Sequence, residues 1–145
     1  MLFRNEETSL KLDIVNYEFP DYGGDPASDD RNWLVLRATW VNDEGQIVKD
    51  SNSCLLTYEL REMAAGLKVL NAGIKNWYVS EFAEPYFELG ARAEGEEFLV
   101  NVSFYLPNTL DGVDTAEVVA RMTKAELTEL VDELDKLCAK YPDRT

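Results

Sequence analysis

Apolar and polar residues alternate along four stretches of this chain and recur at helical spacing in two others. Over Leu10–Val15, Leu10, Leu12 and Ile14 are separated by Lys11 and Asp13. Over Pro85–Arg92, Phe87, Leu89 and Ala91 share one side. Over Glu97–Leu106, Phe98, Val100, Val102, Phe104 and Leu106 face one way and Asn101, Ser103 and Tyr105 the other. Over Val113–Met122, Ala116, Val118, Ala120 and Met122 repeat the pattern. A period of two marks a strand with one buried face. Trp33–Val41 differs, because Leu34, Leu36, Ala38 and Trp40 on one face meet Trp33, Val35 and Val41 on the other. That composition predicts a strand covered on both sides. The turn Asn42–Gly45 leads to a return arm at Gln46–Lys49, and Ser53–Leu56 predicts one more short strand.

Leu60, Met63, Ala64, Leu67 and Leu70 predict a helix over Tyr58–Ala72, with Thr57 as its cap and Gly73 just past its end. Gly66 inside it costs about 1 kcal/mol relative to alanine, so this helix relies on packing. Thr123-Lys124-Ala125-Glu126 has the form of a capping box. After it, Leu127, Leu130, Val131, Leu134, Leu137, Cys138 and Tyr141 recur at helical spacing until Pro142, and Glu126, Glu129, Asp132, Glu133 and Asp135 lie on the opposite face. Asp21–Asn32 and Pro107–Gly112 read as loops. The order is strands, helix, strands, helix, with hairpin-length links between strands. It predicts an α+β fold. The expected architecture is a strongly bent antiparallel sheet or partial barrel of about six to seven strands, with one central and one C-terminal helix, in a single domain over residues 1–145.

Composition adds a sign. There are 28 acidic residues against 14 basic ones and no histidine, a formal net charge of -14. Because 46% of the chain is hydrophobic, the acidity is not that of a disordered tract. A field of this sign opposes nucleic acid and anionic membrane surfaces, and it favours basic protein partners. Met1–Asn5 lacks the apolar core of a signal peptide, and no apolar run approaches the ~20 residues that span a bilayer. Cys54 lies in an apolar run and Cys138 on the apolar stripe of the last helix, where free thiols behave as small hydrophobes. The expectation is a reducing, cytoplasmic setting.

Chemistry is scarce. Without histidine there is no Ser-His or Cys-His nucleophile, and two distant cysteines do not make a zinc site. Phosphate-binding glycine motifs and nucleophile elbows are missing as well. The chain reads as a binding protein with no cofactor and no catalytic residues. Its candidate contacts are two acidic clusters. The first is Asp21, Asp25, Asp29 and Asp30 in the loop. Its alternatives are plain solvation, a partner-facing patch, or calcium, although the spacing is not that of an EF-hand. The second is Glu81, Glu84 and Glu88, set among Trp77, Tyr78, Phe82, Tyr86 and Phe87. Carboxylates beside aromatic rings occur in glycosidases, but rings edged by charge also suit a protein interface. A further alternative is a small-ligand or carbohydrate-binding domain with a cleft lined by Trp33, Trp40 and Trp77.

Several landmarks act as a set: Tyr17-Glu18-Phe19-Pro20, Asn32-Trp33-Leu34, Cys54-Leu55-Leu56-Thr57 with Glu59-Leu60, Glu84-Pro85, and Tyr141-Pro142 before Arg144. The set resembles the WapI-like family of bacterial immunity proteins over nearly the whole chain. The resemblance implies a small cytoplasmic protein that binds and neutralises the toxic C-terminal domain of a contact-delivered toxin. In the founding system of that family the toxic domain is a nuclease acting on tRNA. A basic nuclease domain is the electrostatic complement of an acidic protein without catalytic groups. No contact residue is implied by the resemblance.

Overall fold

Each alternating stretch forms a strand, and each strand buries the face that its pattern marks. The structure, a computed structural model, describes residues 1–109 and 112–144. The first sheet has the order β1 (Leu2–Arg4), β2 (Ser9–Tyr17), β3 (Trp33–Val41), β4 (Ile47–Leu56). The second has β5 (Trp77–Val79), β6 (Phe87–Glu94), β7 (Glu97–Thr109), β8 (Gly112–Met122). Helix α1 (Thr57–Asn71) lies between the sheets in sequence, and α2 (Lys124–Lys140) follows β8. All strand pairs are antiparallel.

The expected single bent sheet is therefore two four-stranded sheets. The reason lies at Leu56–Thr57, where β4 runs straight into α1. The helix leaves the ladder where a fifth strand would pair, and the chain starts a second sheet at β5. The strand count also rises to eight among the described residues, because β1 and β5 are three-residue edge strands too short to show a period. In the other direction, the two strands expected at Gln46–Lys49 and Ser53–Leu56 are one. Asp50, Ser51 and Asn52 break the apolar pattern, yet their backbones pair with Ala38, Arg37 and Leu36. β7 and β8 also extend into the expected Pro107–Gly112 loop, whose residues 110 and 111 lie outside the described ones.

β3 is covered on one side only: Leu34, Leu36 and Ala38 are buried, whereas Trp33, Val35 and Val41 are half-buried. The β3–β4 register skips Cys54, a bulge that lets Cys54, Leu55 and Leu56 all turn inward. Residues of both sheets and both helices, Phe3, Leu12, Leu36, Leu60, Phe87 and Leu127 among them, share one buried cluster. The Cys54 thiol sits in it and is pushed up to about 12, first by burial and then by the charges of Glu59 and Glu84. Both cysteines are free, as their apolar settings predict.

The α2 capping box forms as expected, with Glu126 N–H donating to Thr123 Oγ1 and Thr123 N–H to Glu126 Oε1, both at 3.1 Å. The start of α1 does not follow expectation. Leu56 holds the cap position and Thr57 is already helical. The Glu59 carboxylate takes over the capping role, accepting Leu56 N–H at 3.0 Å.

Gly66 is the packing solution that the sequence hinted at. A Cβ there would lie 2.2 Å from Cδ1 of Tyr78. The Tyr78 ring thus lies directly on the α1 backbone, which pins β5 to the helix and turns Trp77 and Val79 outward. Gly66→Ala is expected to destabilise the protein. Helix propensity gains about 1 kcal/mol, but overpacking costs about 1–3 kcal/mol. Urea unfolding reads the sign, and a stabilised variant would show that the Tyr78 ring can step aside.

Candidate protein-binding face

The acidic loop spends two of its four carboxylates on itself. Asp30 Oδ2 accepts Asp25 N–H at 2.9 Å, and Asp25 Oδ1 accepts Ala27 N–H at 2.9 Å. Ser28 Oγ accepts Asp30 N–H at 3.2 Å, which caps the short 3-10 helix Asp29–Asn32. Asp and Ser side chains bonding to nearby amides shape a turn. Among the described residues no group of three or more candidate ligands gathers to hold a metal. Asp21 and Asp25 are exposed at the surface of this loop.

Asp29 points elsewhere. Its Oδ2 accepts Tyr58 O–H at 3.4 Å, so the loop meets the first turn of α1. The Tyr58 hydroxyl is pushed up, first by burial and then by Asp29, Glu59 and Glu62. The second acidic cluster reaches the same turn. Glu59 is 3% exposed, and its Oε2 accepts Ala83 N–H at 2.7 Å. Glu59 thereby ties α1 to the segment that carries Glu81 and Glu84. Burial pushes the Tyr78 hydroxyl up to about 12, with Glu62, Glu59 and Glu81 adding to it. The fold thus brings Asp29, Glu81 and Glu84 around one helix start. Glu59 and Glu62 join them. Sequence reasoning did not single these two out as site residues, although Glu59 stands at the third helical position, where capping acids occur.

Glu88 belongs to a different surface, the outer face of the second sheet. Alternation puts Glu88 outward between buried Phe87 and Leu89, and Glu117 outward between buried Ala116 and Val118. The register lines these residues up in rows across the sheet. One row is Trp77, Arg92, Leu99, Arg121; the next is Val79, Gly90, Asn101, Val119; the third is Glu88, Ser103, Glu117. Beyond the third row lies a depression lined by Glu84, Tyr86, Tyr105 and Thr115, so Glu84 and Glu88 share an edge of this face. The rings of Tyr86 and Tyr105 meet edge to face at 5.3 Å. Glu117 and Tyr105 were not singled out from sequence, because their partners across the ladder are set by register.

The proposed tryptophan cleft does not form. Trp33 and Trp40 lie on opposite faces of β3, since their separation is odd. Trp77 stands on an edge strand of the other sheet, 60% exposed.

Comparison with known proteins then decides the family. The family model described as "Immunity protein WapI-like family" matches residues 1–142. The chain belongs to this WapI-like family. No curated protein matches it. Among solved structures, the crystal structure of WHY3 from Arabidopsis thaliana covers 97% of this chain and 86% of its own, at 14% identity and a TM-score of 0.46. The landmarks behind the WapI-like resemblance serve as ties in the fold. Tyr17 O–H donates to Pro142 O at 2.6 Å, and Arg144 N–H donates to Asn32 Oδ1 at 2.7 Å. The Arg144 guanidinium lies 3.5 Å from the Tyr22 ring centroid and 4.1 Å from that of Tyr17. Glu59, linking Leu56 to Ala83, is another such tie. No helix among the described residues is long and apolar enough to cross a membrane.

Proposed function

We propose that this WapI-like protein is a non-catalytic inhibitor that acts in the cytoplasm by binding a basic toxin domain. The match of the immunity family over residues 1–142 carries the reading. The charge supports a basic partner: 28 acids against 14 bases leave a field that attracts a cationic surface and repels nucleic acid. A toxin domain that holds a phosphate backbone, as a tRNA nuclease does, presents such a surface. Inhibition then requires only that the complex form quickly and dissociate slowly.

The test is co-expression with the C-terminal domain of the toxin encoded beside it. Growth should be restored and the two chains should co-purify. The association rate should fall about 10- to 100-fold between low and high salt, while dissociation changes less. Absence of both rescue and complex overturns the reading.

A further inference from the structure

We propose that the outer face of the second sheet is the toxin-binding surface, and that the groove over Gly90 receives an arginine or lysine side chain of the toxin domain. The inference rests on the function proposed above. Gly90 leaves a stretch of this face without a side chain. This glycine sits in the middle of β6, paired with Val79 on one side and Asn101 on the other, with no bulge in either ladder. A Cβ there would find only the carbonyl oxygen of Tyr78, at an ordinary 3.8 Å. Nothing inside the fold requires a glycine at this position. Glycine in a strand interior weakens the strand, and one use of it there, where the ladder has no bulge, is to let another molecule approach the backbone closely.

The surroundings of Gly90 name the chemistry of that molecule. A groove of about 420 Å³ opens there, lined in part by Val79, Asn101, Ser103 and Val119. Val79 and Val119 stand in the same row as Gly90 and are 59% and 52% exposed. Val79 lies directly beside the bare backbone of Gly90 and Val119 beyond Asn101, and apolar surface open to this degree at both ends of the row suits a methylene stem. In the next row Glu88 and Glu117 flank Ser103, each one strand away from it. Their Cα atoms are therefore about 10 Å apart, which leaves room for a cationic head between the two carboxylates. Neither carboxylate is paired with a cation among the described residues. The neighbouring cations, Arg92 and Arg121, are held by Glu94 and Glu97 at the far end of the face. Apolar stem and charged head together are the form of lysine and arginine. Trp77, at the end of the first row, adds an aromatic anchor of the kind that dominates interfaces.

Two variants separate the groove from the general acidity of the protein. Gly90→Val fills the groove without changing charge, and a β-branched residue suits the strand. Glu88→Lys/Glu117→Lys reverses the row, while Glu129→Lys/Asp132→Lys on α2 makes the same charge change elsewhere. Each is titrated with the catalytically inactive toxin domain encoded beside the gene, and thermal melts confirm folding. Gly90→Val should weaken binding about 30-fold or more, and the β6/β8 reversal about 100-fold, with the α2 control within about 3-fold. If the wild type binds but both face variants bind within about 3-fold of it, the face is wrong and the proposed function stands. If the wild type does not bind, the function falls and the face with it.

Discussion

Glu59→Ala is expected to lower the unfolding free energy by about 3–6 kcal/mol. The side chain is 3% exposed, and each of its oxygens accepts a backbone amide, one from Leu56 and one from Ala83. A hydrogen bond to a charged group contributes about 1.5–3 kcal/mol, and removing the acceptor leaves a buried donor unpaired. Glu59→Gln should lose about half as much. Its amide oxygen serves one N–H, but its NH₂ faces the other donor. Urea unfolding orders the three proteins, and equal stability of Gln and Glu variants would show that one of the two bonds carries nothing. The effect also has an address. The Ala83 bond holds the segment bearing Glu81 and Glu84 against α1, so its amides should exchange faster in Glu59→Ala than those of α2. Toxin affinity should then fall in step with the loss of order in that segment.

Glu59 shows where sequence reasoning reaches its limit. The local signals were legible: the α2 capping box, the left-handed Gly73 at φ 73°, and the inward faces of β6, β7 and β8 all follow from near neighbours in the chain. Long-range pairing was not. Nothing near Ala83 announces that its amide meets a carboxylate 24 residues away. Nothing near Glu117 announces that Ser103 and Glu88 complete its row. The two sheets were merged for the same reason, because the alternation of a strand records which face is buried but not which strand lies beside it. Among the candidate residues, charge alone singles out Asp29, and charge with neighbouring rings singles out Glu81, Glu84 and Glu88. Gly66 and Gly90 look alike in the sequence and differ in the fold. The space over the first is filled by the Tyr78 ring, while over the second a Cβ would meet only the Tyr78 carbonyl oxygen, at 3.8 Å.

Arg144→Ala is expected to cost about 2–4 kcal/mol, and Arg144→Lys to recover little of it. The side chain is 8% exposed and stacked between two rings, and its Nη2 donates to Pro20 O at 3.2 Å. A desolvated cation over an aromatic face contributes about 2 kcal/mol, and the charged hydrogen bond adds a similar amount. Lysine keeps the charge but has no plane to stack and no fork to reach Pro20. Tyr22 makes the case sharper. It adopts φ 60°, a left-handed conformation that a non-glycine residue holds at some cost, and the stack on Arg144 offsets that cost. A double-mutant cycle of Tyr22→Ala and Arg144→Ala should therefore give a coupling of about 1–2 kcal/mol, whereas additive losses would mean that the ring and the guanidinium touch without stabilising each other. The same clamp ties the two ends of the acidic loop together, with Asn32 bound to the Arg144 amide and Pro20 to its guanidinium. Losing the side chain should accordingly make the loop 21–30 the first site of limited proteolysis. Glu88 and Glu117, on a face built from other strands, should keep their contribution to toxin binding. A stability loss at Arg144 that left affinity unchanged would separate the residues that hold this fold together from those proposed to meet its partner.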